Sequence, residues 1–171
     1  MQVYIFCAKT LKEIQIGIEN RLWAVEPIGE PDAWARLGRS RQMPLGAPGL
    51  FYCSAEPAVF TTPFIVESRA EDRSIAGVWD QTLQLPFSIR PIGDLKSQVL
   101  LSHARLTWPN LKGRDDVSAA LNLSPSLAFT PSFIPRYDWD IILEQLNLDP
   151  EEFEELFSAA PGMALKAGTN A

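Results

Sequence analysis

The stretches Gly49–Ser68, GLFYCSAEPAVFTTPFIVES, and Gly77–Pro91, GVWDQTLQLPFSIRP, decide the fold. Both are rich in β-branched and aromatic residues and are broken by Gly, Pro and Ser, the composition of successive strands. Gly49–Ser54 and Val59–Ser68 read as neighbours joined through Glu56-Pro57. Pro63 cannot donate to a ladder, so it marks an edge or a bulge. Leu83–Pro91 reads as a further strand, with Trp79 ahead of it. Working outward, Gln2–Ala8 is a first strand. Thr10–Glu13 has the T-x-x-E spacing of a capping box, which predicts a helix to about Ile18. Arg21–Val25 is a short extended piece containing Trp23. Pro31–Leu37 is a short helix stopped by Gly38, and Gly38–Gly49 is a loop. Asp138–Leu146 is an amphipathic helix with Asp138 as N-cap. A last helix follows Asp149-Pro150, and Pro161–Ala171 is a frayed tail. This order fits the α+β class: a small curved mixed β-barrel of five or six strands, flanked by short helices. The division expected is one domain over residues 1–148, then an acidic helix and tail over 149–171.

Of the 171 residues, 46% are apolar and 21% charged, the balance of one ordinary soluble domain. No apolar run is long enough to span a bilayer. The start, MQVYIFCAKTLKE, lacks the basic and apolar regions of a secretion signal, so a cytoplasmic setting is expected, with Cys7 and Cys53 reduced. Net charge is −6. Five acids crowd Asp149–Glu155, whereas Ala33–Arg114 holds ten bases against six acids. That local surplus, more than the total, would steer a polyanion.

The chemistry-bearing residues are sparse. The one histidine, His103, and the two distant cysteines give no zinc spacing, so no metal is expected. No phosphate-cradling glycine loop is present, so no nucleotide cofactor is expected either. A Cys/His nucleophile would need His103 to meet Cys7 or Cys53, and nothing in the spacing brings them together. Five tryptophans remain. Trp139 lies on the amphipathic helix and belongs to the core, and Trp34 is placed to pack its own helix down. Trp23, Trp79 and Trp108 stand at or beside strand ends, next to polar residues, where indoles can cage a flat ring. All five could equally fill the core, as Trp usually does.

In this order NRLWAV (Asn20–Val25), GLFYCS (Gly49–Ser54), PFIVES leading to D-x-x-x-x-x-V-W (Asp72–Trp79), and LPFSIRPIG (Leu85–Gly93) resemble EVE-type domains. These are members of the PUA-like superfamily, with YTH and ASCH domains as relatives. FTPSFIPRYDWDIILEQL (Phe129–Leu146) is similar to the family's closing segment. Ala24 stands where that pattern has glycine, and Gly49 is not followed by aspartate. The resemblance implies a curved barrel with a pocket for a base of DNA or RNA, modified or plain. Trp23 then looks like the early pocket tryptophan, Tyr52 and Ser54 like the pocket floor, and Trp79 like a second wall. Arg36, Arg39, Arg41, Arg69, Arg73, Lys112 and Arg114 would meet phosphates at a basic rim.

Three functions are compatible with these residues. The first is a non-enzymatic reader that stacks a nucleobase between Trp23 and Trp79. The second is a protein- or small-ligand-binding domain of the same fold. The third is a small enzyme acting on a nucleotide-like substrate.

Overall fold

Two proline-containing bulges shape the sheet. In the computed structural model, which describes residues 1–158, strands β3 (Pro48–Cys53) and β4 (Val59–Val66) pair antiparallel. Gly49 lies opposite Phe64 and Phe51 opposite Thr61, so β4 carries one extra residue between these pairs. That residue falls at Thr62-Pro63, with Thr62 at φ 44°. The same device recurs where β2 (Leu22–Val25) pairs β6 (Leu83–Pro91). Trp23 lies opposite Phe87 and Val25 opposite Gln84, leaving an extra residue at Leu85-Pro86, with Leu85 at φ 57°. A bulge bends its strand and increases local twist. Pro63 therefore marks a bulge inside a central strand, one of the two outcomes its position allowed.

The remaining strands are β1 (Gln2–Ala8), β5 (Ser74–Ile75), β7 (Gln98–Leu100) and β8 (Ser132–Phe133). The sheet is open and curved, in the order β2-β6-β4-β3-β1-β8, with β5 paired to β6 and β7 to β4. β1 and β3 run parallel, and all other pairs are antiparallel. The α+β class holds, with six strands on the main path and two more attached to it.

Alternation along the strands creates two cores. Val3, Ile5, Leu50, Tyr52 and Phe60 face the helices α3 (Leu101–Thr107), α5 (Arg136–Gln145) and α6 (Pro150–Ser158), where Trp108, Trp139 and Phe153 are buried. Tyr4, Phe6, Phe51, Phe64, Phe87 and Trp23 fill the inside of the curve. The helix α1 (Leu11–Asn20) lies against this second core through Ile14. Thr10 caps α1 as expected, accepting from the Glu13 amide at 3.2 Å. Glu13, however, reaches one residue further back and accepts from the Lys9 amide at 3.1 Å.

Three expectations change. α2 spans Asp32–Ser40, so Gly38 lies inside the helix and does not stop it. α5 begins at Arg136, which puts Asp138 in the first turn and Pro135 at the cap. Trp34 does not pack α2 down; 65% of it is exposed. Trp139 is buried as expected and meets Phe153 edge-on, centroids 5.6 Å apart. The tail assigned to Pro161–Ala171 lies outside the described residues. Among the described residues no helix is long and apolar enough to cross a membrane.

Gly49 is held by the packing of Phe64. A Cβ at position 49 would stand 2.2 Å from two atoms of the Phe64 ring. Gly49→Ala should therefore destabilise the protein by about 1–3 kcal/mol, the usual cost of overpacking. Chemical denaturation at unchanged m-value checks this; an unchanged midpoint would contradict it.

Candidate functional site

The curvature brings the C-terminal half of β1 and the strand β2 to one cavity of about 640 Å3. Phe6, Cys7 and Ala8 line it from β1, and Trp23, Ala24 and Val25 from β2. Among the described residues, β1 is paired beyond Val3 only on its β3 side, and β2 only to β6. Both strands thus offer free backbone edges there. The far wall comes from α4 (Val117–Leu121) and the 3-10 turn Pro125–Leu127, through Val117, Leu123, Pro125 and Ala128. The volume lies within the ~300–1,000 Å3 typical of ligand pockets.

Trp23, Tyr52, Ser54 and Trp79 all line this one cavity. Trp23 is placed by a missing side chain: a Cβ on Gly17 would come within 2.8 Å of its ring. Its ring also packs on Phe51, centroids 4.7 Å apart and planes at 58°. Trp79 precedes β6, and its Nε1 donates to the Glu13 carbonyl at 3.0 Å. The two indoles touch edge to face, centroids 5.8 Å apart and planes at 84°. No base can pass between rings so arranged. The expected sandwich between them is therefore not formed. Both are also well buried, which joins the pocket wall to the core. Trp108 is elsewhere: it packs on Phe60 and donates to Gln145 Oε1 at 2.8 Å, in the core beneath the helices.

The seven basic residues do not form one rim. Arg36 lines the cavity, but from within its wall and not from the surface. Arg39 donates to the carbonyls of Ser126 and Ala128, so it pins the segment that forms the far wall. Arg41 pairs with Asp72 at 3.7 Å and Arg73 with Glu71 at 2.7 Å. Arg69 donates to the Arg41 carbonyl, which places these two side by side. Lys112 and Arg114 are exposed just ahead of Asp115, a lining residue. Sequence reasoning passed over Lys9 and Arg105, both exposed and both lining the cavity. Glu13, Glu26 and Asp115 line it too, so its charged lining is mixed. Arg105–Arg114 has the composition of a loop, but Arg105 lies on α3, and that placement brings it to the cavity.

Burial raises the Tyr52 phenol and the Cys7 thiol above their ordinary values, with Ser54 opposing the shift at Cys7. A raised thiol is the reverse of an activated nucleophile. Both cysteines are free. Among the described residues no group of His, Cys, Asp and Glu is arranged to hold a metal.

No protein-family model matches the chain, and no curated protein matches its sequence. Solved structures do match its fold. A hypothetical protein from Leishmania major aligns with TM-score 0.57 at 13% identity, over 86% of this chain and 95% of that one. The YTH domain of Zygosaccharomyces rouxii MRB1 protein, in complex with N6-methyladenosine RNA, aligns with TM-score 0.54 at 15% identity, over 86% and 88%. Protein Atu2648 from Agrobacterium tumefaciens aligns with TM-score 0.53 at 18% identity, over 86% and 94%. The chain thus shares the fold of a YTH domain, a relative of the EVE-type domains that its sequence resembles.

Two measurements follow from this geometry. Trp23→Ala and Trp79→Ala should each cost about 3–5 kcal/mol of stability, as buried aromatics do; melts unchanged from wild type would show that neither ring is packed as described. Cys7 should react with iodoacetamide at pH 8 more slowly than an unperturbed thiol, because its raised pKa leaves less thiolate. The rate should climb as pH rises through that pKa. Mass spectrometry of the modified thiol checks both points.

Proposed function

We propose that this protein is a non-enzymatic module that takes a nucleobase of RNA or DNA, plain or modified, into the cavity between β1 and β2. The observation that carries this reading is the convergence of Trp23, Tyr52 and Trp79 on one hollow bordered by free strand edges. A base presents two apolar faces and a polar edge. One indole takes a face, the perpendicular indole closes the side, and the unpaired backbone groups of β1 and β2 suit the polar edge. The solved YTH domain of similar fold in complex with N6-methyladenosine RNA supports the same reading. Against a catalytic role stand the raised Cys7 thiol and the position of His103, exposed on α3 and not among the lining residues.

Arg105, Lys112 and Arg114, at or near the mouth, are the bases we assign to phosphates. Arg41 and Arg73 already have carboxylate partners and Arg39 has carbonyls.

Short RNA and DNA strands, with and without one N6-methyladenosine, should quench tryptophan fluorescence on binding. Trp23→Ala and Trp79→Ala, assayed well below their lowered melting temperatures, should lose about ten- to a hundredfold in affinity, since stacking is worth roughly 1–3 kcal/mol per base. With three phosphate contacts, the slope of log K against log salt should be about −2 for a single strand. Full affinity after loss of either indole, or no binding of any strand at low salt, would overturn the proposal.

A further inference from the structure

Arg36 is only 1% exposed, yet it lines the cavity. Its Nη2 donates to Gln84 Oε1 at 3.3 Å. Its Nε and Nη1 are buried and meet no acceptor. None of the ion pairs among the described residues includes it. The charge of Arg39, one turn along α2, acts on it and has the same sign. Burial first, and Arg39 second, push its pKa down. A guanidinium starts so high that it stays charged all the same.

A buried cation without a counter-charge is costly to keep, and so is each buried donor without an acceptor. The surrounding protein does not meet this need: Arg39 spends its own donors on Ser126 and Ala128. The cavity is open space that Arg36 itself borders. Its lining also holds Glu13, Glu26 and Asp115 against Lys9 and Arg105, with the indoles of Trp23 and Trp79 on the same hollow.

We infer that the ligand of this cavity carries an oxyanion that Arg36 neutralises from inside the wall. The inference rests on the reading of the cavity as a base pocket and narrows it. The ligand is a nucleotide unit whose negative oxygens enter the pocket, either on its own phosphate or on a carboxylate borne by the base. A neutral nucleoside leaves the two donors unmet and binds less well. Arg36 thus differs from the mouth residues, which would touch phosphates that stay in water.

The test compares adenosine with adenosine 5′-monophosphate, and cytidine with 5-carboxycytidine, by calorimetry at fixed ionic strength. Inorganic phosphate against chloride serves as a third arm. In the wild type one anionic ligand should bind about tenfold or more tighter than its neutral parent. The arm in which the gap appears tells phosphate from carboxylate. In Arg36→Met the gap should close, and the free variant should melt no lower than wild type, because an apolar chain of similar length removes the uncompensated charge. A gap that persists in Arg36→Met, or no gap in either arm, overturns the inference. Should Arg36→Met not fold, the Arg36 Nε–H resonance of the wild type decides. It should move with inorganic phosphate and not with chloride, and a static resonance overturns the inference. The two readings fail separately. Nucleosides that bind with no preference for the anion remove the oxyanion and leave the base pocket. Inorganic phosphate that binds through Arg36 with no nucleoside affinity does the reverse.

Discussion

The bulges at Thr62-Pro63 and Leu85-Pro86 set the shape on which the rest depends. Each puts a residue other than glycine at positive φ, directly before a proline that cannot donate a ladder bond. Each adds one residue to its strand, and the sheet bends there. The bend lets β2, at one end of the strand order, and β1, near the other, line a single cavity. The sheet does not close into a full barrel: β8 covers β1 only at Gln2 and Val3. The stretch of β1 left uncovered supplies the cavity wall. The second bulge faces Ala24 itself, so the device that curves the sheet also sets the pocket floor beside Trp23.

The pocket and the core share their residues. Trp23 packs against Phe51 with tilted rings, Phe51 packs likewise against Phe64, and the Phe64 ring lies over Gly49. Trp79 is tied to α1 through the Glu13 carbonyl, and α1 accommodates Trp23 through Gly17. Rings packed from behind lose little freedom when a ligand arrives, which favours binding by preorganisation. Arg36 is the opposite case, a group whose burial the fold tolerates without completing its bonds. The strain there is electrostatic, and a ligand can relieve it.

Much of this was legible in sequence because it rests on local rules. Pro63 in an apolar run signalled an edge or a bulge, Thr10 and Glu13 a helix start, and the aromatic strand run a curved sheet or barrel flanked by helices. Trp23, Tyr52, Ser54 and Trp79 could be grouped through their order along the chain. What could not be read depends on long-range packing. The family resemblance placed Arg36 at a basic rim, and charged residues are seldom fully buried, but α2 turns this one inward, toward Gln84 on β6. Trp34, two residues earlier, points outward for the same helical reason. The far wall, from Val117 to Ala128, joins a helical turn to a proline-containing irregular stretch, and neither local pattern announces its place across the cavity. Trp108 stood near polar residues in sequence and is buried beneath three helices in space.

We place the ligand of this protein in the gap between β1 and β2. Hydrogen exchange with and without a saturating single-stranded oligonucleotide tests that placement. Added protection is expected at the amides of Phe6–Ala8 and Trp23–Glu26, with the Phe133–Tyr137 surface unchanged. Protection centred on that surface, or bound strand with both edges exchanging as in the free protein, would contradict it.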